Sequence, residues 1–334
     1  MVFDLAFIWA GLIAFAILTY VVLDGFDLGL GILFPFAETH KDRDVMMNSV
    51  APVWDGNETW LVLGGGGLFA VFPLAYAVVM PALYMPILIM LLALVFRGVS
   101  FEYRWKTTRW RGVWDIAFFG GSTIAALCQG IALGAMVQGI EIEGRAYAGG
   151  WFDWLTPFSV LTGFAVVVGY ALLGATWLIY KTEGPLQQRM QGYAKRLGIA
   201  TLVLIGLVSL LTPFQDSVYF DRWFALPGAL WSVVMPAVML ALTFLFFTGL
   251  RDHKDLQPFL SALGFFVAGF VGIGISFYPH MVPPDLTIWE AAAPDSSLAF
   301  ALVGAVVLIP LILGYTAYAY WVFRGKIDPD EGYH

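Results

Sequence analysis

Nine apolar runs dominate this sequence of 334 residues, and each is close to the roughly 20 residues that a helix needs to cross a bilayer. Hydrophobic residues make up 60% of the chain and charged residues only 12%, whereas soluble domains average about 45–50% and 25%. The runs lie at about Leu5–Phe36, Val50–Phe72, Leu74–Phe96, Trp114–Gln138, Pro157–Tyr180, Leu197–Leu211, Trp223–Leu250, Pro258–Tyr278 and Ala299–Phe323. The gaps between them are too short to fold alone. We therefore predict an all-α polytopic membrane protein, with residues 1–334 forming one bundle of nine transmembrane helices.

The distribution of Lys and Arg predicts the orientation of this bundle. Fifteen of the 17 Lys and Arg residues lie in the segments that follow the odd-numbered runs, and only Arg145 and Arg222 lie on the other side. Cytoplasmic loops collect Lys and Arg, so the N-terminus is predicted to be outside and the C-terminus in the cytoplasm. No basic residue precedes the first run, so that run is expected to remain as a span rather than to be cleaved as a signal peptide.

Composition also excludes several classes of function. The net charge of −7 offers no basic patch for nucleic acid, and the single cysteine, Cys128, allows neither an internal disulfide nor a cysteine-ligated metal. The four histidines, His40, His253, His280 and His334, lie in predicted loops or at chain and span ends. We therefore expect this chain alone to bind no metal and no haem.

The first run contains two acids that a plain membrane anchor would exclude. Asp24 and Asp27 are three residues apart and share a helix face. Gly25 and Gly29 lie four apart beside them, a spacing that lets another helix approach closely. Because the run is apolar again after Asp27, we expect both acids to be enclosed, toward the cytoplasmic side of the bilayer.

The second run begins with a matching polar group, Asp55, Asn57 and Glu58, at a similar predicted depth. An acid at mid-membrane costs up to about 2.5–3.5 kcal/mol, so four carboxylates at one level predict an interior-facing cluster that is paired or hydrated. Such a cluster suits a proton relay, and it also suits a cation site. The acids are alternatively structural, pairing with Arg97 or capping helix ends, and Asn57 then bonds to a neighbouring helix.

Glycines and tryptophans in this region have structural explanations. Gly64–Gly67 lacks the preceding strand and the following Lys of a phosphate loop, so it predicts close helix packing. Trp54 and Trp60 belong to a larger set of tryptophans near predicted span ends, a distribution typical of an aromatic belt.

Seven motifs taken together resemble subunit II of the cytochrome bd family of quinol oxidases. They are Asp24–Gly29, Asn48–Trp60, Gly64–Phe69, Phe96–Arg104, Phe277–Pro279, Thr287–Ala291 and Gly314–Trp321. The resemblance implies a nine-span subunit of the prokaryotic cytoplasmic (inner) membrane, paired with a subunit I of similar size. Subunit I would carry two b-type haems, one d-type haem and the quinol-oxidising loop, while subunit II carries no redox cofactor. Small accessory subunits and membrane lipid are further partners that it allows.

The same resemblance assigns a reaction and roles to residues. Quinol is oxidised, oxygen is reduced to water, and the protons come from the cytoplasm. Asp27 and Asp55 match acids of the family's cytoplasmic proton entry route, and Arg97 matches an arginine linked to the integrity of the haem-bearing complex. Trp54 and Trp60 are assigned a structural or interface role.

We accordingly predict that Asp55 collects a proton and passes it, through water and Asn57, toward subunit I. Asp24, Asp27 and Glu58 either extend that route or brace it. A cation-coupled transporter is the first rival, and it should show inverted repeats with broken helices at the midplane. A purely structural scaffold is the second rival, in which Asp27 and Asp55 do not titrate during turnover.

Overall fold

Helices form almost the whole molecule in the computed structural model, which describes residues 4–225 and 232–328. They are α1 (Leu5–Leu33), α2 (His40–Asn48), α3 (Trp54–Val71), α4 (Pro73–Ala82), α5 (Tyr84–Lys106), α6 (Arg111–Gln138), α7 (Pro157–Lys181), α8 (Gly184–Leu211), α9 (Ser217–Phe224), α10 (Val234–Arg251), α11 (Leu256–Phe277), α12 (Ile288–Ala291) and α13 (Asp295–Val322). Turns of 3-10 helix follow α1 at Phe34–Phe36 and α8 at Thr212–Phe214.

Two small antiparallel hairpins lie at one end of the bundle, which we call the hairpin end. Strand β1 (Ile142–Glu143) pairs with β2 (Ala146–Tyr147), and β3 (His280–Val282) pairs with β4 (Leu286–Thr287). The opposite end, where α1 and α5 finish and α6 begins, carries most of the Lys and Arg residues, and we call it the basic end.

Helix α1 is the central element, with α3, α6 and α7 packed around it. Every residue from Asp24 to Phe34 is buried, as the sequence predicted for the acid pair. Glycines make this possible, because a Cβ on Gly29 would lie 1.8 Å from the carbonyl oxygen of Tyr170 in α7. Gly174 of α7 meets Gly29 in the same way, so the two helices cross backbone to backbone.

The glycine run in α3 packs on α1 along one side only. A Cβ on Gly64 would lie 3.2 Å from Ile17, and one on Gly67 would lie 2.4 Å from Ile13. Gly65 and Gly66 have nothing within 4 Å in the described structure. The predicted close packing is confirmed for the first and last of the four glycines, which are three residues apart and share a helix face.

Eight helices of the described residues are long and apolar enough to cross a membrane. Helix α3 is not among them, because its first turns hold Asp55, Asn57 and Glu58, although its 18 residues would span about 27 Å at 1.5 Å per residue. The predicted run Leu74–Phe96 is divided between α4 and α5. The polytopic all-α class is confirmed, and the count of nine spans stays a prediction.

Several predicted boundaries differ from the observed ones for a common reason. Helix α5 continues ten residues past the predicted end at Phe96, α8 begins at Gly184 instead of Leu197, and α2 was not predicted at all. These stretches are amphipathic and therefore lack the apolar composition that marked the runs. Within the run Trp223–Leu250, residues 226–231 lie outside the described part of the chain.

Helix α13 is the most loosely packed long helix. Leu298 is the one residue of α13 that the described chain buries. Its ends are nevertheless tied down: Trp9 Nε1 donates to the carbonyl oxygen of Leu298 at 3.0 Å, and Lys181 Nζ donates to that of Phe323 at 2.6 Å. Just beyond α13, Lys326 Nζ lies 2.7 Å from Asp255 Oδ2.

Candidate functional site

Three of the four predicted acids converge on one arginine inside the bundle. Arg97 Nη2 lies 3.0 Å from Asp24 Oδ1 and 3.8 Å from Asp27 Oδ2, and Arg97 Nη1 lies 3.6 Å from Glu58 Oε2. The side chains of Asp24, Asp27 and Arg97 are 0% exposed, whereas that of Glu58 is 27% exposed. We call these four residues the Arg97 cluster.

Helix packing explains why these side chains meet. The spacing of three residues places Asp24 and Asp27 on one face of α1, and α3 and α5 bring Glu58 and Arg97 to that face. Gly121 of α6 lies directly behind Arg97, and a Cβ there would be 2.6 Å from the carbonyl oxygen of Ala93. The close approach of α6 to α5 therefore seals Arg97 from its other side.

Arg97 and Asp24 form an ion pair without an aligned hydrogen bond. All three side-chain nitrogens of Arg97 and both carboxylate oxygens of Asp24 are buried without a hydrogen bond inside the described structure, although they lie within ion-pair distance. Buried polar atoms in native proteins nearly always have a partner, often water. The hydrogen-bonding capacity of Arg97 and Asp24 is therefore only partly used by the side chains around them.

The charges of this cluster also do not balance. Three carboxylates facing one guanidinium would leave two uncompensated negative charges if all three were ionised. An unpaired charge in the interior costs several kcal/mol. Among the described side chains of this cluster, Arg97 is the sole cation, so charge balance requires bound protons or an additional cation. A site of this composition can hold a proton or a cation.

Asn57 connects the cluster to the last long helix. It is 1% exposed, and its Nδ2 donates to Asp27 Oδ2 at 2.8 Å. The hydroxyl of Tyr320 in α13 donates in turn to Asn57 Oδ1 at 2.8 Å. Tyr320 was not predicted as a site residue, although it lies in the Gly314–Trp321 motif.

A second tyrosine and amide chain lies beside Asp24. The hydroxyl of Tyr170 donates to Gln129 Oε1 at 2.7 Å, and Gln129 Nε2 donates to the hydroxyl of Tyr20 at 2.7 Å. Tyr20 lies one helical turn from Asp24 on α1 and is close enough to interact with its carboxylate. Gln129 is an uncharged polar residue in the middle of an apolar run. This was the feature of the sequence that could have indicated the Tyr170–Gln129–Tyr20 hydrogen bonds.

Asp55 is the predicted acid that the Arg97 cluster does not include. Its side chain is exposed at the start of α3, where Glu102 and Arg97 act on it electrostatically. The expectation that all four carboxylates share one enclosed site is therefore correct for three of them. Asp55 instead lies on the surface beside the cluster.

The two tryptophans of α3 have different surroundings. Trp54 is half-buried and stacks on Phe101 with ring centroids 4.7 Å apart. Trp60 is only 1% exposed and packs edge-on against Phe15 of α1. The aromatic-belt interpretation is therefore wrong for Trp60, because its side chain lies in the core, in the second turn of α3, and not at a surface.

A second buried arginine, Arg104, lies two turns further along α5. Its Nη1 lies 2.7 Å from Asp44 Oδ1 and its Nε lies 2.5 Å from Asp115 Oδ1, and both contacts are hydrogen bonds. Arg111 also bonds to Asp44, and Arg43 lies 3.0 Å from Asp115. We call these five residues the Arg104 cluster, and it joins α2, α5 and α6 at the basic end.

The fold and this site together define a class: a polytopic α-helical membrane protein with a buried, charge-unbalanced cluster near one end. Within that class, the family model of cytochrome bd terminal oxidase subunit II matches residues 5–323. The chain therefore belongs to the cytochrome bd oxidase subunit II family, and the resemblance drawn from its motifs is confirmed.

Individual relatives agree with this assignment. The chain is 32% identical over 366 residues to cytochrome bd-I ubiquinol oxidase subunit 2 of Escherichia coli K12, covering 98% of this chain and 96% of that protein. It is 31% identical over 339 residues to cytochrome bd ubiquinol oxidase subunit 2 of Bacillus subtilis 168, covering 97% of each. The structure of bd oxidase from Geobacillus thermodenitrificans has the same fold, with a TM-score of 0.78 at 17% identity over 96% of this chain and 99% of that one.

Proposed function

We propose that this chain is the non-haem subunit of a bd-type terminal oxidase that oxidises quinol and reduces oxygen to water. In this proposal it pairs with and stabilises a haem-bearing subunit I, and it forms part of the cytoplasmic proton entry route. The observation that carries the proposal is the Arg97 cluster, a buried group of three acids and one arginine beside the exposed Asp55. Family membership supplies the reaction to which such a site belongs.

The proposed topology has nine spans, with α3 as the additional one, and a cytoplasmic basic end in a prokaryotic cytoplasmic membrane. Supporting it, 15 of 17 Lys and Arg residues lie in the segments on that side. Glu58 and Asn57 of α3 face the Arg97 cluster instead of lipid, so the low hydropathy of that helix does not prevent it from spanning. The N-terminus is then outside.

The proton route that we propose follows a gradient of burial. Asp55 is exposed, Glu58 is 27% exposed, and Asp27 and Asp24 are 0% exposed. A proton collected at Asp55 would pass by water to Glu58 and Asp27, where the surplus of carboxylates gives it an acceptor. Arg97 keeps the remaining negative charge stable while the proton is absent.

The faces of α3, α5 and α13 next to the cluster are the proposed contact with subunit I. They expose large apolar side chains, including Val62 at 71%, Phe96 at 60% and Leu311 at 64%. Surfaces of this kind in a membrane bundle contact lipid or another membrane subunit. Since Asp55 and Glu58 lie beside this surface, a partner there would cover the cluster and receive its protons.

We place the two b-type haems and the d-type haem in subunit I, because this chain has few residues suited to hold them. His40 and His253 are exposed, and His280 lies in the hairpin β3–β4, while His334 lies outside the described residues. When bound, the haems supply the electron transfer and oxygen chemistry. This chain's residues then serve to deliver protons and to stabilise the partner.

The first experiment is a reduced-minus-oxidised visible spectrum of the complex purified through a tag on this chain. A d-type band and a second membrane subunit are expected, whereas a colourless single-chain preparation would contradict the oxidase assignment. Asp55→Asn should then slow oxygen reduction about tenfold or more, the scale of losing a proton-transfer group, without loss of haem. The matched control is Asp252→Asn, which changes an exposed acid at the same end and should leave the rate unchanged.

A further inference from the structure

A continuous hydrogen-bond chain joins α13 to the acid pair of α1. Tyr320 donates to the carbonyl oxygen of Asn57, and the amide nitrogen of Asn57 donates to Asp27, both at 2.8 Å. A second, weaker contact runs from the same nitrogen to the carbonyl oxygen of Leu23 at 3.5 Å. Both ends of the Asn57 amide are thus hydrogen-bonded, so the orientation of one end fixes that of the other.

The chemistry of the three groups gives the chain two satisfied arrangements. An ionised carboxylate only accepts hydrogen bonds, so the NH2 end of Asn57 must face Asp27 and its carbonyl must face Tyr320. A protonated carboxyl can also donate, which allows a second arrangement in which the carbonyl of Asn57 faces Asp27 and the NH2 end faces Tyr320. A hydroxyl is the group that serves both arrangements, because it can donate or accept.

We propose that Tyr320 is a positioning residue for proton transfer, which lets Asn57 satisfy Asp27 in both of its protonation states. As a proton reaches Asp27, the Asn57 amide turns over and the hydroxyl of Tyr320 changes from donor to acceptor. The amide of Asn57 and the carboxyl of Asp27 keep a hydrogen bond to each other at both stages, so neither protonation state of Asp27 costs this bond. The inference rests on the proposed function, since it assigns a role within that proton route.

Tyr320 also links this step to the position of α13. The helix buries little of its surface within the described chain and is tied chiefly at its ends. Tyr320 is its contact with the acid pair, from a side chain that is half-buried. A shift of α13 by an ångström or two would lengthen the hydrogen bond to Asn57 and release the amide.

The charged and titratable groups that face Asp27 come from four helices. They are Asp24 from α1, Glu58 from α3, Arg97 from α5 and the phenol of Tyr320 from α13. Replacing Tyr320 with Phe removes one hydroxyl and leaves the other three groups in place. A change in pH dependence of that variant therefore reports on the Asn57 and Asp27 hydrogen bonds and not on a lost charge.

The test compares Tyr320→Phe with Tyr315→Phe in the complete two-subunit complex. Tyr315 lies on the same helix, is 66% exposed and serves as the matched control. We expect Tyr320→Phe to slow oxygen reduction about two- to tenfold, the factor that one hydrogen bond is worth. We also expect a displaced pH profile and a shift of the carboxyl infrared signal that Asp27→Asn removes, with haem content unchanged.

Three results would separate the possibilities. A rate, pH profile and infrared signal in Tyr320→Phe equal to those of Tyr315→Phe would overturn the positioning role. Loss of haem or of the partner subunit in Tyr320→Phe, with a normal pH profile in the surviving complex, would also overturn it and indicate a structural role for Tyr320. If Asp27→Asn and Asp55→Asn both leave the oxygen-reduction rate unchanged, the proposed proton route itself fails, and that result is distinct from a failure of Tyr320 alone.

Discussion

Helix α5 carries two fully buried arginines, Arg97 and Arg104, which differ in their hydrogen bonds and in the charges around them. Arg104 makes two hydrogen-bonded ion pairs, and its acids are shared with Arg43 and Arg111, so three cations meet two anions. Arg97 faces three carboxylates and makes no side-chain hydrogen bond within the described residues. Burial alone therefore does not distinguish these two arginines. Their hydrogen-bond geometry and the sign of the surplus charge around them do.

Removing Arg97 should have the largest effect of any change to either cluster. Arg97→Gln leaves three enclosed acids without their cation, and breaking a buried pair in this way costs about 3–5 kcal/mol. We expect little assembled complex, measured by size-exclusion chromatography and haem absorbance. Arg109→Gln, an exposed arginine at the same end, is the control and should assemble normally. A normal yield of the Arg97 variant would contradict this, and would show that the three acids are uncharged when Arg97 is absent.

Removing Arg104 should cost less, because its acids keep other partners. In Arg104→Gln, Asp44 retains Arg111 and Asp115 retains Arg43, so no acid is left without a cation. We expect a total loss of about 1.5–3 kcal/mol, the scale of one hydrogen bond to a charged group. We expect a lower thermal midpoint of the purified complex and an unchanged oxygen-reduction rate per haem. A rate loss as large as that of Asp55→Asn would show that the two clusters are not separate in function.

Glu58→Gln tests the surplus charge directly. Glu58 is the partly exposed member of the Arg97 cluster, at 3.6 Å from Arg97, so losing this ion pair should change stability by no more than about 1 kcal/mol. Oxygen reduction should slow a few-fold, since one carboxylate of the proposed route can no longer carry a proton. A clear loss of stability, seen as a lower thermal midpoint, would mean that Glu58 is bound as tightly as the acids of the Arg104 cluster.

The smallest effect is expected for an exposed acid outside both clusters, Asp4 at the hairpin end. Asp4 accepts from the backbone of Phe7 and from Trp289 Nε1, and these bonds lower its pKa below the ordinary value of 3.8. A lowered pKa contributes stability above the ordinary value that is lost as the pH falls through the lowered one. Asp4→Asn should therefore match the parent in thermal midpoint at acid pH and differ slightly at neutral pH. A difference confined to acid pH would contradict this sign.

The sequence was sufficient for the membrane class and for the enclosed acid pair of α1, and it offered pairing with Arg97 as one alternative. Those inferences depend on helical periodicity and depth, which one sequence contains. It was not sufficient for Asp55, because the start of α3 is not fixed by the apolar pattern, and Asp55 lies in the exposed first turn of that helix. Nor could it reveal Tyr320, whose partner Asn57 lies 263 residues away in the chain and is met only through tertiary packing.

The Arg104 cluster was missed for a related reason. Its residues lie on α2, α5 and α6 in segments that are rich in charge and therefore read as solvated loops. Arg104 is 0% exposed nonetheless, because its guanidinium lies over the ring of Phe34, with the guanidinium carbon 5.2 Å from the ring centroid. A charged residue among aromatic ones, as in Phe101–Trp105, is the local signal that a long cationic side chain lies inside.

The sparse packing of α13 has a mechanical consequence. A force applied at the carboxyl end would first break the contacts of Lys326 and Lys181 and then the hydrogen bond of Tyr320. Few interlocked side chains resist beyond that point, since Leu298 alone is buried among the described residues of α13. Helix α13 would separate at low force while the remaining bundle stayed intact. Asn57 would be the first residue of the acid site to lose a hydrogen bond, the one from Tyr320.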